Sequence, residues 1–148
     1  MIKICGIISI TNKFMQIIKE VAEKFVSWIK IKIRTHFADA AFDIYERQIW
    51  WASIGQNIGV EQNGKNASFE RPVLIFRRFN NDQFWALPIS TKVKTNKYCY
   101  TFSQNGKQFC VNLSQMRVMD RKRLLRYIGD LTPGDFFKVK AQIRKIIG

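Results

Sequence analysis

The sequence predicts a single, mainly β domain, a small barrel or strongly bent sheet, with one helix before it and one after it. Three observations support this prediction: short β-type runs separated by turn residues, a helical apolar repeat near the N-terminus, and a helix-capping motif near the C-terminus. A chain of 148 residues supports one core and is too short for two. The composition, 47% apolar and 14% aromatic, is typical of a chain that folds.

The N-terminal region predicts an amphipathic helix over residues 12–34. Thr11 and Asn12 can cap its start, and apolar residues then recur at spacings of three and four: Phe14, Ile17, Ile18, Val21, Phe25, Trp28 and Ile29. The other side carries both lysine and glutamate, which favours packing on the domain or across a dimer over binding to a membrane. We therefore expect residues 1–45 to be a helical extension and residues 46–148 to form the barrel domain.

The strands are predicted from β-type runs that begin after residue 47. The runs are Gln48–Ile54, Pro72–Phe79, Gln83–Ile89, Lys97–Phe102, Gln108–Asn112 and Gln115–Met119. Turn residues separate them, and Asn105-Gly106 is a strong hairpin signal. A short helix capped by its first residue is expected over 120–126. The segment Thr132-Pro133-Gly134-Asp135 then predicts a capped last helix that ends near Ile147.

Charge and residue usage narrow the classes of function. The 25 Lys and Arg residues outnumber the 11 acidic ones, giving a net charge of +14 that favours an anionic partner. Cys5, Cys99 and Cys110 are an odd number without a Cys-x-x-Cys pair, which indicates neither a disulfide framework nor a zinc knuckle and fits a reducing cytoplasm. The single histidine, His36, excludes mechanisms that need a histidine pair, and we interpret it as a surface or packing residue. No apolar run approaches the roughly 20 residues that cross a bilayer, and no secretion signal is predicted.

The first candidate site is Arg71, which opens a predicted strand after the charged loop Gly59–Gly64. Pro72 is tolerated there because the start of a strand need not donate every ladder hydrogen bond. A guanidinium at a sheet rim suits an RNA phosphate or a phosphorane-like transition state. A surface ion pair of Arg71 with Glu61 or Glu70 is an equally good interpretation of the residues alone.

A second candidate lies where the run Gln83–Ile89 ends, because Ser90, Thr91 and Lys92 supply two hydroxyls and an ammonium. These groups can hold phosphate oxygens, although Ser-Thr also commonly terminates strands. Cations and tyrosines nearby suit single-stranded nucleic acid, and a solvated basic surface over core tyrosines is the alternative. This set comprises Lys92, Lys94, Lys97, Tyr98, Tyr100, Arg117, Arg121, Lys122, Arg123 and Arg126. Near the candidate no carboxylate pair has useful spacing, and the sequence has no glycine-rich phosphate loop or Ser–His arrangement.

Taken in order, these residues resemble the MazF/PemK family of toxins from bacterial toxin–antitoxin systems. The resemblance runs from about Glu46 to the C-terminus and rests on ordered motifs: Ile49-Trp50-Trp51, Gly59-x-Glu61-Gln62-x-Gly64, Arg71-Pro72-Val73-Leu74, Pro88-Ile89-Ser90, Gln115-x-Arg117, and Lys122-Arg123-Leu124 before Ile128-Gly129. It implies an SH3-like barrel of the MazF, PemK and CcdB type that forms a homodimer. It also implies that the protein cleaves single-stranded RNA without a metal or cofactor, binds a cognate antitoxin, and acts in the bacterial cytoplasm.

The resemblance also implies roles for particular residues. Arg71 falls on the family's catalytic arginine, and Ser90 stands where members usually have threonine, with Thr91 as the alternative hydroxyl. The implied RNA-binding residues are Glu61, Gln62, Thr91, Lys92, Lys94, Gln115 and Arg117. One branch uses other acid–base groups, and this chain lacks them because it has Val60, Asn112 and Ser114 at those positions.

We therefore expect an endoribonuclease toxin. The alternatives are a non-catalytic barrel module, or degenerate toxin, that binds RNA or a protein target without cleavage, and, least favoured, a protein that acts at a membrane surface through residues 12–34. The Glu-Gln, Arg-Pro and Gln-x-Arg motifs favour the endoribonuclease over the non-catalytic module.

Overall fold

The computed structural model describes residues 2–148 of the chain, with side chains from residue 10 onward, and confirms a mainly β fold with a helix at each end. The helices are α1 (Ile2–Phe37) and α2 (Pro133–Ile147). The strands are β1 (Gln48–Ser53), β2 (Glu70–Arg78), β3 (Gln83–Ser90), β4 (Cys99–Gln104), β5 (Lys107–Asn112), β6 (Arg117–Asp120) and β7 (Leu124–Asp130). Single 3₁₀ turns lie at Leu113–Gln115 and Arg121–Arg123.

The strands form one antiparallel, seven-stranded sheet in the order β4-β5-β3-β2-β1-β7, with β6 attached to β3. Strand β3 changes partner along its length: its first half pairs with β6, whereas Ile89 and Ser90 pair with β5. This change of partner bends the sheet. Because β2 runs antiparallel to β3, the beginning of β2 and the end of β3 lie at the same rim.

The core lies on both faces of the central strands. Alternate residues of β2 point to opposite faces, so Leu74 joins one buried cluster and Val73 the other. Helix α2 covers the first cluster with three buried side chains, Phe136, Val139 and Ile143. Since apolar packing occupies both faces of these strands, the polar side chains of β2 and β3 lie near the strand ends.

Helix α1 is longer than the predicted helix over 12–34, and it contacts the barrel through its C-terminal part. Trp28 is 8% exposed and packs against Phe69, with the ring centroids 5.8 Å apart. The guanidinium of Arg123 lies 5.5 Å from the centre of the Trp28 ring. Gly55 is required beneath this indole, because a Cβ at its position would overlap the ring. Within residues 2–148, no helix combines the length and apolar character that crossing a bilayer requires.

The predicted helix over 120–126 is wrong. The Asp120 side chain does accept a hydrogen bond from the Lys122 amide at 2.8 Å, but the capped segment is only one 3₁₀ turn. The chain then extends as β7, which pairs with β1. Leu124 is buried in the core at the start of β7. Long-range pairing and core packing therefore override the local capping signal.

The hairpin predicted at Asn105-Gly106 is present between β4 and β5, and both turn residues have positive φ angles of 50° and 72°. The hairpin brings Cys99 and Cys110 together in a disulfide. The number and spacing of the cysteines indicated no disulfide framework, and this one disulfide was therefore not predicted. The reason is register: Cys110 lies opposite Thr101, two residues from Cys99, which an odd count of cysteines cannot reveal.

Candidate functional site

Arg71 is a buried cation at the rim where β2 begins. Its side chain is held by backbone carbonyls: Nε donates to the Asn63 oxygen at 2.8 Å, and Nη1 donates to the Ile89 oxygen at 3.4 Å. The residue is 9% exposed, and burial lowers the pKa of the guanidinium from its ordinary value. Among the described side chains, no carboxylate forms an ion pair with it. The interpretation of Arg71 as the partner of Glu61 or Glu70 is therefore wrong.

Gln62 completes the set of acceptors around Arg71. Hydrogen bonding decides which end of an amide is the oxygen, and with the Gln62 oxygen facing Arg71 it accepts from Nη2 at 3.0 Å and from Nη1 at 3.2 Å. The backbone amide of Gln62 also donates to Gln115 Oε1 at 3.1 Å. Neutral oxygens thus orient the guanidinium and leave its positive charge uncompensated.

The loop that carries these acceptors is fixed by its own hydrogen bonds. Asn57 Nδ2 donates to the Gln62 carbonyl at 2.7 Å, and the Asn57 amide donates to Asn63 Oδ1 at 2.6 Å. The Gly64 amide donates to the Gly55 carbonyl at 2.9 Å. Gly64 must remain a glycine because a Cβ there would overlap the Phe69 carbonyl. The groups that hold Arg71 are therefore in place before any ligand binds.

Glu70, the neighbour of Arg71 in the chain, forms its ion pair with a different cation. Arg126 of β7 binds it with two parallel hydrogen bonds, Nη1 to Oε2 at 2.9 Å and Nη2 to Oε1 at 2.8 Å. The hydrogen bond from Arg126 lowers the pKa of the Glu70 carboxyl. The same guanidinium lies 4.7 Å from the centre of the Trp51 ring. This paired carboxylate and stacked indole form one wall of the site.

Two cavities meet at Ser90. The first, which we call the Arg71 cleft, has a volume of about 150 Å³ and is lined by Trp51, Lys65, Glu70, Arg71, Pro72, Ile89, Ser90, Thr91 and Phe109. The second, which we call the lysine groove, has a volume of about 360 Å³ and is lined by Val60, Glu61, Gln62, Ser90, Lys92, Lys94, Asn96, Tyr98, Cys99, Cys110, Asn112, Ser114 and Gln115. Ser90 Oγ accepts from the Lys92 amide at 3.1 Å, which leaves its own hydrogen free to donate.

The structure brings together most of the site residues expected from the sequence. Arg71, Ser90 and Thr91 line the Arg71 cleft, and Glu61, Gln62, Lys92, Lys94 and Gln115 line the lysine groove together with Ser90. Arg117 lines neither cavity: it lies on β6 opposite Ala86. The pKa of Arg123 is lowered first by burial and then by the charge of Arg117. In residues 10–148, no group of three or more His, Cys, Asp or Glu side chains is arranged to hold a metal ion.

Several parts of the site were not found by reasoning from the sequence. The Asn63 carbonyl is a backbone acceptor and leaves no trace in residue type. The Glu70–Arg126 pair joins positions 56 residues apart, and only the pairing of β7 with β1 brings them together. Trp51 belongs to the motif Ile49-Trp50-Trp51, and it lies on β1 opposite Pro72 and lines the cleft. Because successive side chains of a strand point to opposite faces of the sheet, the sequence of β1 could have indicated that Trp50 and Trp51 lie on different faces.

The fold and the site define a class of protein: a small, bent β-sheet domain with a buried arginine beside a hydroxyl at one rim, an arrangement suited to phosphate esters. The model of the PemK-like, MazF-like toxins of type II toxin–antitoxin systems matches residues 45–147. This chain belongs to that family. Helix α1 precedes the matched region.

Solved structures show the same fold. MazF of Deinococcus radiodurans is 18% identical with a TM-score of 0.58, and the match covers 74% of this chain and 99% of that one. Toxin MazF-mt6 of Mycobacterium tuberculosis is 19% identical with a TM-score of 0.53, covering 68% and 96%. A mycobacterial endoribonuclease in complex with its cognate antitoxin is 14% identical with a TM-score of 0.56, covering 71% and 95%. A search of curated proteins found no significant match.

Proposed function

We propose that this toxin is a metal-independent endoribonuclease that cleaves single-stranded RNA at short sequences. The ribose 2′-OH attacks the adjacent phosphorus, and the products are a 2′,3′-cyclic phosphate and a 5′-hydroxyl. The observation that supports this proposal is the buried Arg71 guanidinium, held only by neutral oxygens among the described residues, in one cleft with the Ser90 hydroxyl. A buried cation without a carboxylate partner is costly, and an anionic ligand would compensate it.

In this mechanism Arg71 acts on the charge that develops in the transition state. Its N–H groups stabilise the phosphorane oxygens, and the pKa lowered by burial helps it to donate a proton to the departing 5′-oxygen. The proton of the 2′-OH passes to solvent, from which Arg71 is reprotonated. Ser90 donates its free hydrogen to a phosphate oxygen and fixes the position of the scissile group. Thr91 lies in the same cleft and can supply a second hydroxyl.

The lysine groove would carry the RNA on either side of the cut. Lys92 and Lys94 are exposed cations that can follow the phosphates, and the Tyr98 ring lines the same groove as a stacking surface. The Glu61 carboxylate and the Gln115 amide can hydrogen-bond to base edges and so supply sequence preference. Gln62 lines the same groove, but its side-chain oxygen is bound to Arg71, so we assign it to positioning that guanidinium. Arg117 lies outside both cavities, and we leave it out of this surface.

We also propose the partners that the family resemblance implies. Crystal structures of MazE with MazF from Deinococcus radiodurans, and of a mycobacterial endoribonuclease with its cognate antitoxin, are among the structural neighbours. By analogy, this chain forms a homodimer and is neutralised by a cognate antitoxin. An acidic antitoxin segment would compete with RNA for the lysine groove. Its substrate would place the action of the toxin in the cytoplasm of a bacterium.

The proposal is tested by incubating the purified full chain with a long single-stranded RNA in EDTA. We expect cuts at a defined short sequence with 5′-hydroxyl ends. Arg71→Ala should cut about 10²–10³-fold more slowly, the usual cost of removing one such donor. Arg77→Ala is the matched control, because Arg77 is an exposed arginine on the same strand. RNA that is retained without cuts would contradict cleavage and support the binding module, and full activity of Arg71→Ala would contradict the role of Arg71.

A further inference from the structure

The Arg71 cleft continues into an apolar pocket to which the proposed reaction assigns no role. This pocket has a volume of about 180 Å³ and is lined by Ile49, Trp51, Pro72, Ile89, Phe102, Gln104, Phe109 and Ile128. Trp51, Pro72, Ile89 and Phe109 line both cavities. The two are therefore one continuous depression, with charged and hydroxyl groups at the rim and aromatic rings on the floor.

The aromatic floor is held in place by the surrounding structure. Trp51 lies opposite Pro72 on β2 and opposite Arg126 on β7, and the Arg126 guanidinium that stacks on its ring is itself fixed by Glu70. Phe109 stacks on Phe102 with the ring centroids 5.5 Å apart and the planes inclined by 27°. Both Trp51 and Phe109 are only half-buried, so each ring keeps surface that a ligand can cover.

We propose that this pocket binds one nucleobase of the RNA, next to the scissile phosphate, with its ring on Trp51 and Phe109. The inference rests on the proposed function, which places the phosphate at Arg71 and Ser90. A nucleotide joins an anionic group to a flat ring, and the depression joins a cationic rim to an aromatic floor in the same way. Gln104 also lines the pocket, and its amide can hydrogen-bond to the edge of the base.

The charge of the rim favours a nucleotide over a protein occupant. Arg71 and Lys65 line the cleft beside the aromatic floor. An apolar side chain of a second copy of this chain would cover the rings but leave the buried Arg71 charge without an anion. The carboxylates of an acidic peptide would compensate the charge of Arg71, but they would not stack on the two exposed rings.

The test uses the full chain and a short RNA that contains the cleavage site mapped in EDTA. A 2′-deoxy nucleotide before the cut removes the nucleophile, and matched oligonucleotides carry one abasic nucleotide on either side of the cut. Binding by fluorescence anisotropy is compared for the parent, Trp51→Ala, Trp51→Phe and the control Trp85→Ala, which removes a half-buried indole outside both cavities. Thermal unfolding of each variant verifies that it is folded.

We expect Trp51→Ala to weaken binding of the intact RNA about 5- to 150-fold, the range for loss of one base–aromatic stack. Trp51→Phe should restore most of the affinity. An abasic nucleotide at one of the two positions should weaken binding to the parent by a similar factor. For that oligonucleotide the parent and Trp51→Ala should have the same affinity.

The inference is overturned if the parent and Trp51→Ala bind the intact RNA with equal affinity. It is also overturned if every abasic oligonucleotide loses the same amount of affinity. A change only in oligomeric state assigns the pocket to a protein contact instead. If the parent cuts no RNA, the proposed function fails and this inference fails with it; if the parent cuts and Trp51 is without effect, only the inference fails.

Discussion

Replacing Gln62 tests whether the acceptors around Arg71 are part of the catalytic machinery. The Gln62 oxygen accepts two hydrogen bonds from the guanidinium, at 3.0 and 3.2 Å, and does not itself approach the reacting atoms in our proposal. Gln62→Leu keeps the size of the side chain and removes the acceptor. A hydrogen bond to a charged group contributes about 1.5–3 kcal/mol, which corresponds to about a 10- to 160-fold change in rate when its loss acts on the transition state.

We therefore expect kcat of Gln62→Leu to fall about 10- to 160-fold with KM changed much less, because Arg71 remains in the cleft but is misdirected. Gln62→Glu should be at least as slow at neutral pH, since a carboxylate would pair with Arg71, raise its pKa and compete with the phosphate. Acidification that protonates this glutamate should recover part of the activity. Gln62→Leu has no charge to titrate and should show no such recovery.

The assay is initial-rate cleavage of a fluorescent RNA across a pH series, with Gln108→Glu as the control because Gln108 is exposed on β5 and outside both cavities. If Gln62→Leu keeps the parent's kcat, the hydrogen bonds to Arg71 do not position it for catalysis. If Gln62→Glu matches the parent at neutral pH, the uncompensated charge of Arg71 is not what the reaction uses.

Two further predictions concern stability. Trp28→Ala should lower the free energy of unfolding in urea by about 3–5 kcal/mol, the usual cost of deleting a buried tryptophan. The reason is that Trp28 is buried where α1 packs on the barrel. An unchanged midpoint and slope would show that the packing of Trp28 does not contribute to the free energy of unfolding. Asp135 has a pKa lowered first by the hydrogen bond from Tyr100 and then by that from Thr132. Its contribution to stability is therefore complete above the unfolded value of about 3.9 and is lost as the pH falls through the lower folded value. Asp135→Asn should be less stable than the parent at neutral pH, with the difference shrinking in acid; a constant difference across that range would contradict the assignment.

Elements encoded by local chemistry were predictable from the sequence. Asn105-Gly106 prefers the positive φ angles of a tight hairpin, and the hairpin forms there. Thr132 caps α2 by accepting a hydrogen bond from the Asp135 amide at 3.1 Å, as the residue types suggested. These features depend on residues that are neighbours in the chain, so residue type and spacing are sufficient to indicate them.

Features that depend on strand register were not predictable in the same way. The segment after Asp120 carries a helix-capping signal, yet it forms β7 because it pairs with the antiparallel strand β1. The Cys99–Cys110 disulfide needs the register of β4 on β5. The partner of Arg71 was ambiguous because Glu61 and Glu70 are both near it in sequence, and only the three-dimensional arrangement assigns Glu70 to Arg126.

The strand missed by the sequence analysis is also what leaves Arg71 available for an anion. Glu70 precedes Arg71 in the chain and is 8% exposed, so burying its carboxylate without a partner would cost free energy. Without Arg126, this carboxylate would be expected to pair with the nearest remaining cation. Because β7 pairs with β1, Arg126 binds Glu70 through its two terminal nitrogens, Nη1 and Nη2, and neutralises it. Arg71 is then held by the neutral oxygens of Asn63, Ile89 and Gln62. The edge strand thus determines the electrostatics of a residue two strands away, and the catalytic interpretation of Arg71 depends on it.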